Sequence, residues 1–249
     1  MAYPNCKNKY LEKSLFNPSD YLKENRKNYP VIPENLIVLY VYSRKLLEEV
    51  IYDLGIKVKK TKSFYLINKK FGIRIFDIGA SNVVANLEDL IALGIKKIIN
   101  IGIAGGLSDK LIAGDIVICE KAIRDEGVSY HYIKPEKFAY SSFNLIAEAE
   151  KILKLNNIEF YRGAGWTIDA PYRETKKEVI KYSKEGILTV DMETSAIFSL
   201  AKYRKIDAIS IFIISDILTE KGWKQYFNSK KIGISLKKLL NAFISNYVS

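Results

Sequence analysis

The stretch Ala208–Ile214 constrains the fold most, because its residues other than Ser210 are apolar and a strand built from it is apolar on both faces. Side chains of a strand alternate between the two faces of its sheet, so such a strand must be covered from both sides. Leu36–Val41 and Lys97–Ile101 are shorter apolar runs that read as buried strands of the same kind. Further strands are expected at 63–68, 72–78, 114–120, 159–163 and 188–190.

Helical patterns lie between these runs. One covers 45–54 and stops at Gly55; another starts after Gly79, runs through Leu93 and stops at Gly94. Others cover 142–155, 176–183 and 192–203. The last, 231–247, gathers Ile232, Leu236, Leu239, Leu240 and Phe243 on one face. Strands alternating with helices predict an α/β fold: a single-domain three-layer sandwich with helices on both sides of a mixed sheet. That domain is expected to span 34–249. Residues 1–33, polar and punctuated by Pro4, Pro18, Pro30 and Pro33, read as an arm packing on the body or on a neighbouring subunit.

Composition narrows the function classes. A hydrophobic fraction of 48% is ample for a large core. Cys6 and Cys119 lie far apart and match no metal or redox spacing, which fits a reducing compartment. With no apolar leader and no membrane-length run, a cytoplasmic protein without a membrane partner is expected. The formal charge of +11 comes from lysines scattered over many elements. A nucleic-acid-binding stripe would be concentrated, so a solvated surface is expected and nucleic acid is not.

In sheets of this class ligands sit beyond the carboxyl ends of the strands. Four such ends carry small, polar or charged groups: Tyr42–Arg44, Gly79–Ser81, Gly102–Gly106 and Ser215–Asp216. Gly102–Gly106 reads as a loop whose backbone N–H groups approach a ligand closely, either a plain turn or an anion cradle. It lacks the spacing and the following helix of a dinucleotide fingerprint. Asp216, at the end of a buried strand, suits a proton donor or hydrogen-bond partner in a cleft, or an N-cap for whatever follows. Asp191–Glu193 opens a helix, where capping alone would explain its carboxylates and the helix dipole would favour their charge. His131, between Tyr130 and Tyr132, has no second histidine for a metal site and no nucleophile elbow for a triad. It reads equally as a packed loop residue or a substrate contact.

Taken in order, Asn100–Leu107, Gly114–Val117, Asp125–Tyr132, Val190–Ala196 and Ile213–Asp216 resemble the uridine and purine nucleoside phosphorylase family. Thr167–Thr175 resembles the base-side loop of its uridine-phosphorylase-like branch. The resemblance implies a distorted central sheet, a homo-oligomer built as a dimer-based hexamer, no cofactor, and inorganic phosphate as co-substrate. It makes Asp216 and Glu193 the catalytic pair, with Met192 and Glu193 on the ribose. Arg44, Gly102 and Ile103 fall at the phosphate, and Gly105, Tyr172, Arg173 and Asp216 at the base. No metal is implied. The chemistry suits these types: a fixed carboxylate orients a sugar that gains positive charge, and a second protonates or hydrogen-bonds the departing base.

The sequence departs from the family pattern at one subsite. Asn100 stands at the second phosphate arginine, Ile103 at the phosphate-binding Ser or Thr, and the first-strand glycine is replaced near Tyr40. Related nucleosidases, which use water, also carry Asn at the Asn100 position. The expectation is phosphorolysis of a purine nucleoside or uridine. The alternatives are a nucleoside hydrolase on the same scaffold and a non-catalytic nucleotide-binding or nucleic-acid-binding protein.

Overall fold

The computed structural model of the chain describes residues 4–25, 33–40, 44–60 and 64–248. Val41, Tyr42, Ser43 and the side chain of Tyr40, all named above, lie outside the described residues.

One mixed sheet organises the body. Its strands are β1 (Asn35–Tyr40), β2 (Lys59–Lys60), β3 (Phe64–Leu66), β4 (Phe71–Phe76), β5 (Lys97–Gly106) and β6 (Ile116–Asp125). They continue with β7 (Phe138–Tyr140), β8 (Tyr161–Ile168), β9 (Ile187–Asp191), β10 (Asp207–Thr219) and β11 (Gly222–Gln225). The helices are α1 (Pro18–Asn25), α2 (Arg44–Asp53), α3 (Ala80–Ala92), α4 (Phe143–Leu155), α5 (Lys176–Lys184), α6 (Thr194–Arg204) and α7 (Lys230–Val248).

The alternation in β1, β5 and β10 builds the three layers. Ile37, Ile99, Ile209 and Ile211 face one side and meet Leu47 and Val50 of α2, Leu145 of α4 and Leu239 and Phe243 of α7. Leu36, Ile98, Ala208 and Phe212 face the other and meet Val83 and Leu87 of α3 and Ile197 and Leu200 of α6. All five residues expected on one face of the last helix are buried there.

The order β11-β10-β6-β8-β9-β5-β1-β4-β3-β2 is completed by a second pairing of β10, with β5. Strands β5, β10, β6, β8 and β9 therefore close on one another, and β1 to β4 extend from β5 as an open wing. The closure corrects the reading of Gly102–Gly106 as a loop: these residues are the last half of β5. A Cβ on Gly105 would stand 2.6 Å from Leu218 Cδ1 and 3.0 Å from Val190 Cγ1. Here the missing side chain lets β5, β9 and β10 converge, so close packing explains the glycine.

Two other expectations need correcting. β10 does not end at Ile214; it runs on to Thr219 through an irregularity between Ile214 and Asp216, so Asp216 sits inside the strand. The helix expected from Met192 begins at Thr194. Asp191 ends β9, and its Oδ2 accepts the backbone N–H of Glu193 at 3.1 Å and of Thr194 at 2.8 Å. That carboxylate satisfies the helix start from outside it.

The described part of the arm lies on the body. A 3-10 turn at Lys9–Leu11 is followed by α1, which buries Leu22 and packs on α3. Leu11, Leu15 and Phe16 are exposed. Among the described residues, no helix is long and apolar enough to cross a membrane.

Candidate active site

Where β5, β9 and β10 converge, their ends open into a cleft of about 550 Å³. Ile103, Ala104 and Gly105 come from β5, Val190 to Glu193 from β9 and the link to α6, and Ser215, Asp216 and Leu218 from β10. Ile78 precedes α3. Pro171, Tyr172 and Glu174 come from the segment before α5, and Trp223 and Phe227 from β11 and its continuation. Most of the wall is apolar, and the polar groups are few and convergent, as in small-molecule sites.

At one side stands Glu193, 5% exposed. Its Oε1 accepts the backbone N–H of Gly79 at 2.7 Å. Gly79 immediately precedes α3 and has φ 113°, a conformation that favours glycine. The positive end of the α3 dipole thus favours a negative charge on Glu193. Beneath it, Asp191 Oδ1 accepts the Thr167 hydroxyl at 2.7 Å, and Thr167 Oγ1 accepts the backbone N–H of Ser195 at 3.0 Å. Burial pushes the Asp191 carboxyl up, against the pull of its hydroxyl and amide donors. Asp191 is the structural carboxylate of the triplet, and Glu193 faces the cleft.

At the other side stands Asp216. Its Oδ1 accepts the Ser215 hydroxyl at 2.6 Å and its Oδ2 accepts the Trp223 indole N–H at 2.8 Å. Gly105 makes room, since a Cβ there would lie 3.1 Å from Asp216 Oδ2. Glu174 lines the same region, and burial together with the charges of Asp216 and Glu178 pushes its carboxyl up to about 7.

Of the expected site residues, the cleft thus brings together Ile103, Gly105, Tyr172, Met192, Glu193 and Asp216. Arg173 is exposed and turns to a neighbouring depression with Asp169 and Lys177. Gly102 is buried in mid-strand opposite Phe212. Arg44 is the first residue of α2, outside the cleft wall. Asn100 is fully buried, donating from Nδ2 to Ser210 Oγ at 3.0 Å, while Thr194 Oγ1 donates to the same oxygen at 2.9 Å. It ties β5, β10 and α6 together below the cleft. His131 lies elsewhere, in a depression shared with Lys9 and Tyr10 of the arm, where burial and Lys9 push its pKa down.

Sequence reasoning missed Trp223, Phe227 and Glu174. Glu174 falls within the motif Thr167–Thr175, and its place two residues before a helix start was the available signal. No local pattern marks Trp223.

Comparison with known proteins shows what the chain is similar to. Residues 55–245 match the model of the phosphorylase superfamily. A purine nucleoside phosphorylase of DeoD type from Buchnera aphidicola subsp. Acyrthosiphon pisum is 32% identical over 166 residues, covering 66% of this chain and 70% of that protein. The crystal structure of uridine phosphorylase from Vibrio fischeri, complexed with 6-hydroxy-1-naphthoic acid, superposes with TM-score 0.71 at 26% identity, covering 86% of this chain and 92% of that one. Purine nucleoside phosphorylase from Toxoplasma gondii, in complex with immucillin-H, shares the fold with TM-score 0.74 at 20% identity, over 88% and 92% of the two chains.

Proposed function

The chain belongs to the phosphorylase superfamily, and from that membership we propose that it is a nucleoside phosphorylase. It cleaves the N-glycosidic bond of a purine nucleoside with phosphate, giving ribose 1-phosphate and free base. The observation that carries this reading is the pair of carboxylates in one apolar cleft, Glu193 on the N-terminus of α3 and Asp216 between Ser215 and Trp223.

Each carboxylate suits one half of the reaction. Glu193, held by the Gly79 N–H, is the acceptor for sugar hydroxyls and stabilises the positive charge that grows on the ribose. Met192 packs on the sugar. Asp216 hydrogen-bonds the departing base, with Gly105 and Tyr172 bounding it. Purine is favoured over uridine because Asp216 lines the cleft as a hydrogen-bond partner for a base, whereas Arg173 lies in a neighbouring depression. Phosphate is taken up at the Ile103 end, with Arg44 as its cation. The unit is a homo-oligomer, a dimer-based hexamer, whose contacts cover the exposed Leu11, Leu15 and Phe16 of the arm.

A second reading, hydrolysis, is favoured by a specific observation. No lysine or arginine is present among the described residues that line the cleft, Ile103 offers no hydroxyl, and Asn100 is committed to Ser210. Incubation with inosine, guanosine, adenosine and uridine, followed by chromatography of the bases, tests the shared claim. Release of hypoxanthine, guanine or adenine supports it. No base from any nucleoside contradicts it.

A further inference from the structure

The base end of the cleft holds two carboxyl groups in unlike settings. Asp216 already accepts on both oxygens, from Ser215 and from Trp223. That is the arrangement of an acceptor. Glu174 follows a 3-10 turn at Pro171–Arg173, and its backbone N–H returns to the Pro171 carbonyl at 3.4 Å. The next residue, Thr175, caps α5 in a reciprocal box with Glu178, so the backbone at Glu174 is held from both sides.

No donor among the described residues bonds the Glu174 carboxyl. The charged groups packed near it are Asp216 from β10 and Glu178 from α5, both acidic, and its chain neighbours Tyr172 and Arg173 are exposed. Withdrawal from water and these two like charges push its carboxyl up to about 7, where a carboxylic acid still holds a proton in neutral solution.

We propose that Glu174 supplies the proton that leaves with the base, while Asp216 acts beside it as a fixed acceptor. This rests on the nucleoside-cleaving reading above. As the nucleophile's oxygen bonds C1′ of the ribose, the bond from C1′ to the ring nitrogen breaks and its electron pair passes into the base. The Glu174 O–H proton bonds to a ring nitrogen of that base, leaving a carboxylate, which regains a proton from solvent before the next turnover. Asp216 accepts the N–H so formed or a neighbouring amino group. An acid poised near the working pH is the efficient one for this transfer.

The test compares inosine with 7-methylguanosine, whose base is already cationic and leaves as a neutral molecule without a proton. Rates are measured for the wild-type protein and Glu174→Gln across pH 5–9. The wild-type kcat/KM on inosine should fall as pH rises through about 7. Glu174→Gln should lower the inosine rate about 10²-fold, and the ratio of inosine to 7-methylguanosine rates at least about 30-fold, as removal of a general acid requires. An unchanged inosine rate, or equal losses on both substrates, would overturn the assignment. The wild-type profile checks it independently of any variant: the absence of a fall on inosine as pH rises through about 7 is also against it. No base release from either substrate by the wild-type protein overturns the parent reading, and this one with it.

Discussion

Trp223 donates its indole N–H to Asp216 Oδ2 at 2.8 Å across the turn joining β10 to β11. The bond fixes the carboxylate proposed to meet the base. Trp223→Phe keeps the ring near Phe227 but removes the donor. A hydrogen bond to a charged group contributes about 1.5–3 kcal/mol, so base release from purine nucleosides should slow about 10- to 100-fold. Asp216→Asn should slow it about 10²-fold or more. Wild-type kinetics in either variant on inosine, adenosine and guanosine would remove this end of the cleft from the reaction.

Glu193 and Asp191 stand two residues apart and should fail differently. Glu193→Ala should lower base release by about 10²-fold or more at a stability cost of no more than about 1–3 kcal/mol, that of the Gly79 N–H it leaves, because Asp191 holds the start of α6. Asp191→Ala strips the acceptor from three donors: the Thr167 hydroxyl and the N–H groups of Glu193 and Thr194. At about 1–3 kcal/mol for each buried group left unpaired, the loss of stability should reach about 3 kcal/mol or more. Urea unfolding of both variants separates the roles, and reversed results would exchange them.

Glu174 gives stability a pH signature. Its carboxyl titrates near 4.5 when exposed and near 7 in the folded chain, so the folded state binds the proton more tightly. Below about 4.5 both states hold the proton and there is no penalty. Between about 4.5 and 7 the unfolded chain ionises first, and the penalty on folding grows to its full size above about 7. Glu174→Gln should therefore stabilise the protein by about 1–3 kcal/mol at pH 8, after discount for solvent screening, and by little at pH 4.5. Equal effects at both values would mean the carboxyl titrates normally.

The proposed assembly would cover part of the arm. Leu11, Leu15 and Phe16 are exposed in a single chain. Multi-angle light scattering at micromolar concentration should give the mass of a symmetric oligomer, a hexamer. A monomer would refute this.

The layers were legible because burial on both faces leaves a largely apolar signature in Ala208–Ile214 and Lys97–Ile101, and because Gly55, Gly79 and Gly94 mark helix ends. The lengths of β5 and β10 were not. Gly102–Gly106 carries no apolar pattern, and its strand character comes from backbone pairing with β10 and β9 that only the closed sheet supplies. Glu193, Met192 and Asp216 were legible as candidates, and the structure brings them to one cleft. The division of labour in Asp191–Glu193 was not, since a cap and a site acceptor look alike until Gly79 and Thr167 are in place. Trp223 was hidden because an exposed aromatic in a hairpin does not reveal which carboxylate it meets.

The central claim is that phosphate is the nucleophile, although Asn100 is turned to Ser210 and Ile103 lines the cleft. Arg44, which begins α2 outside the cleft wall, is the cation proposed for the anion, and the charge of +11 raises the local phosphate concentration at low salt. The direct measurement follows base release from inosine with and without phosphate and identifies the sugar by NMR. Phosphate-dependent release with ribose 1-phosphate, most of that dependence being lost in Arg44→Ala, is the predicted result. Equal rates without phosphate, yielding free ribose, would contradict it and make the protein a hydrolase.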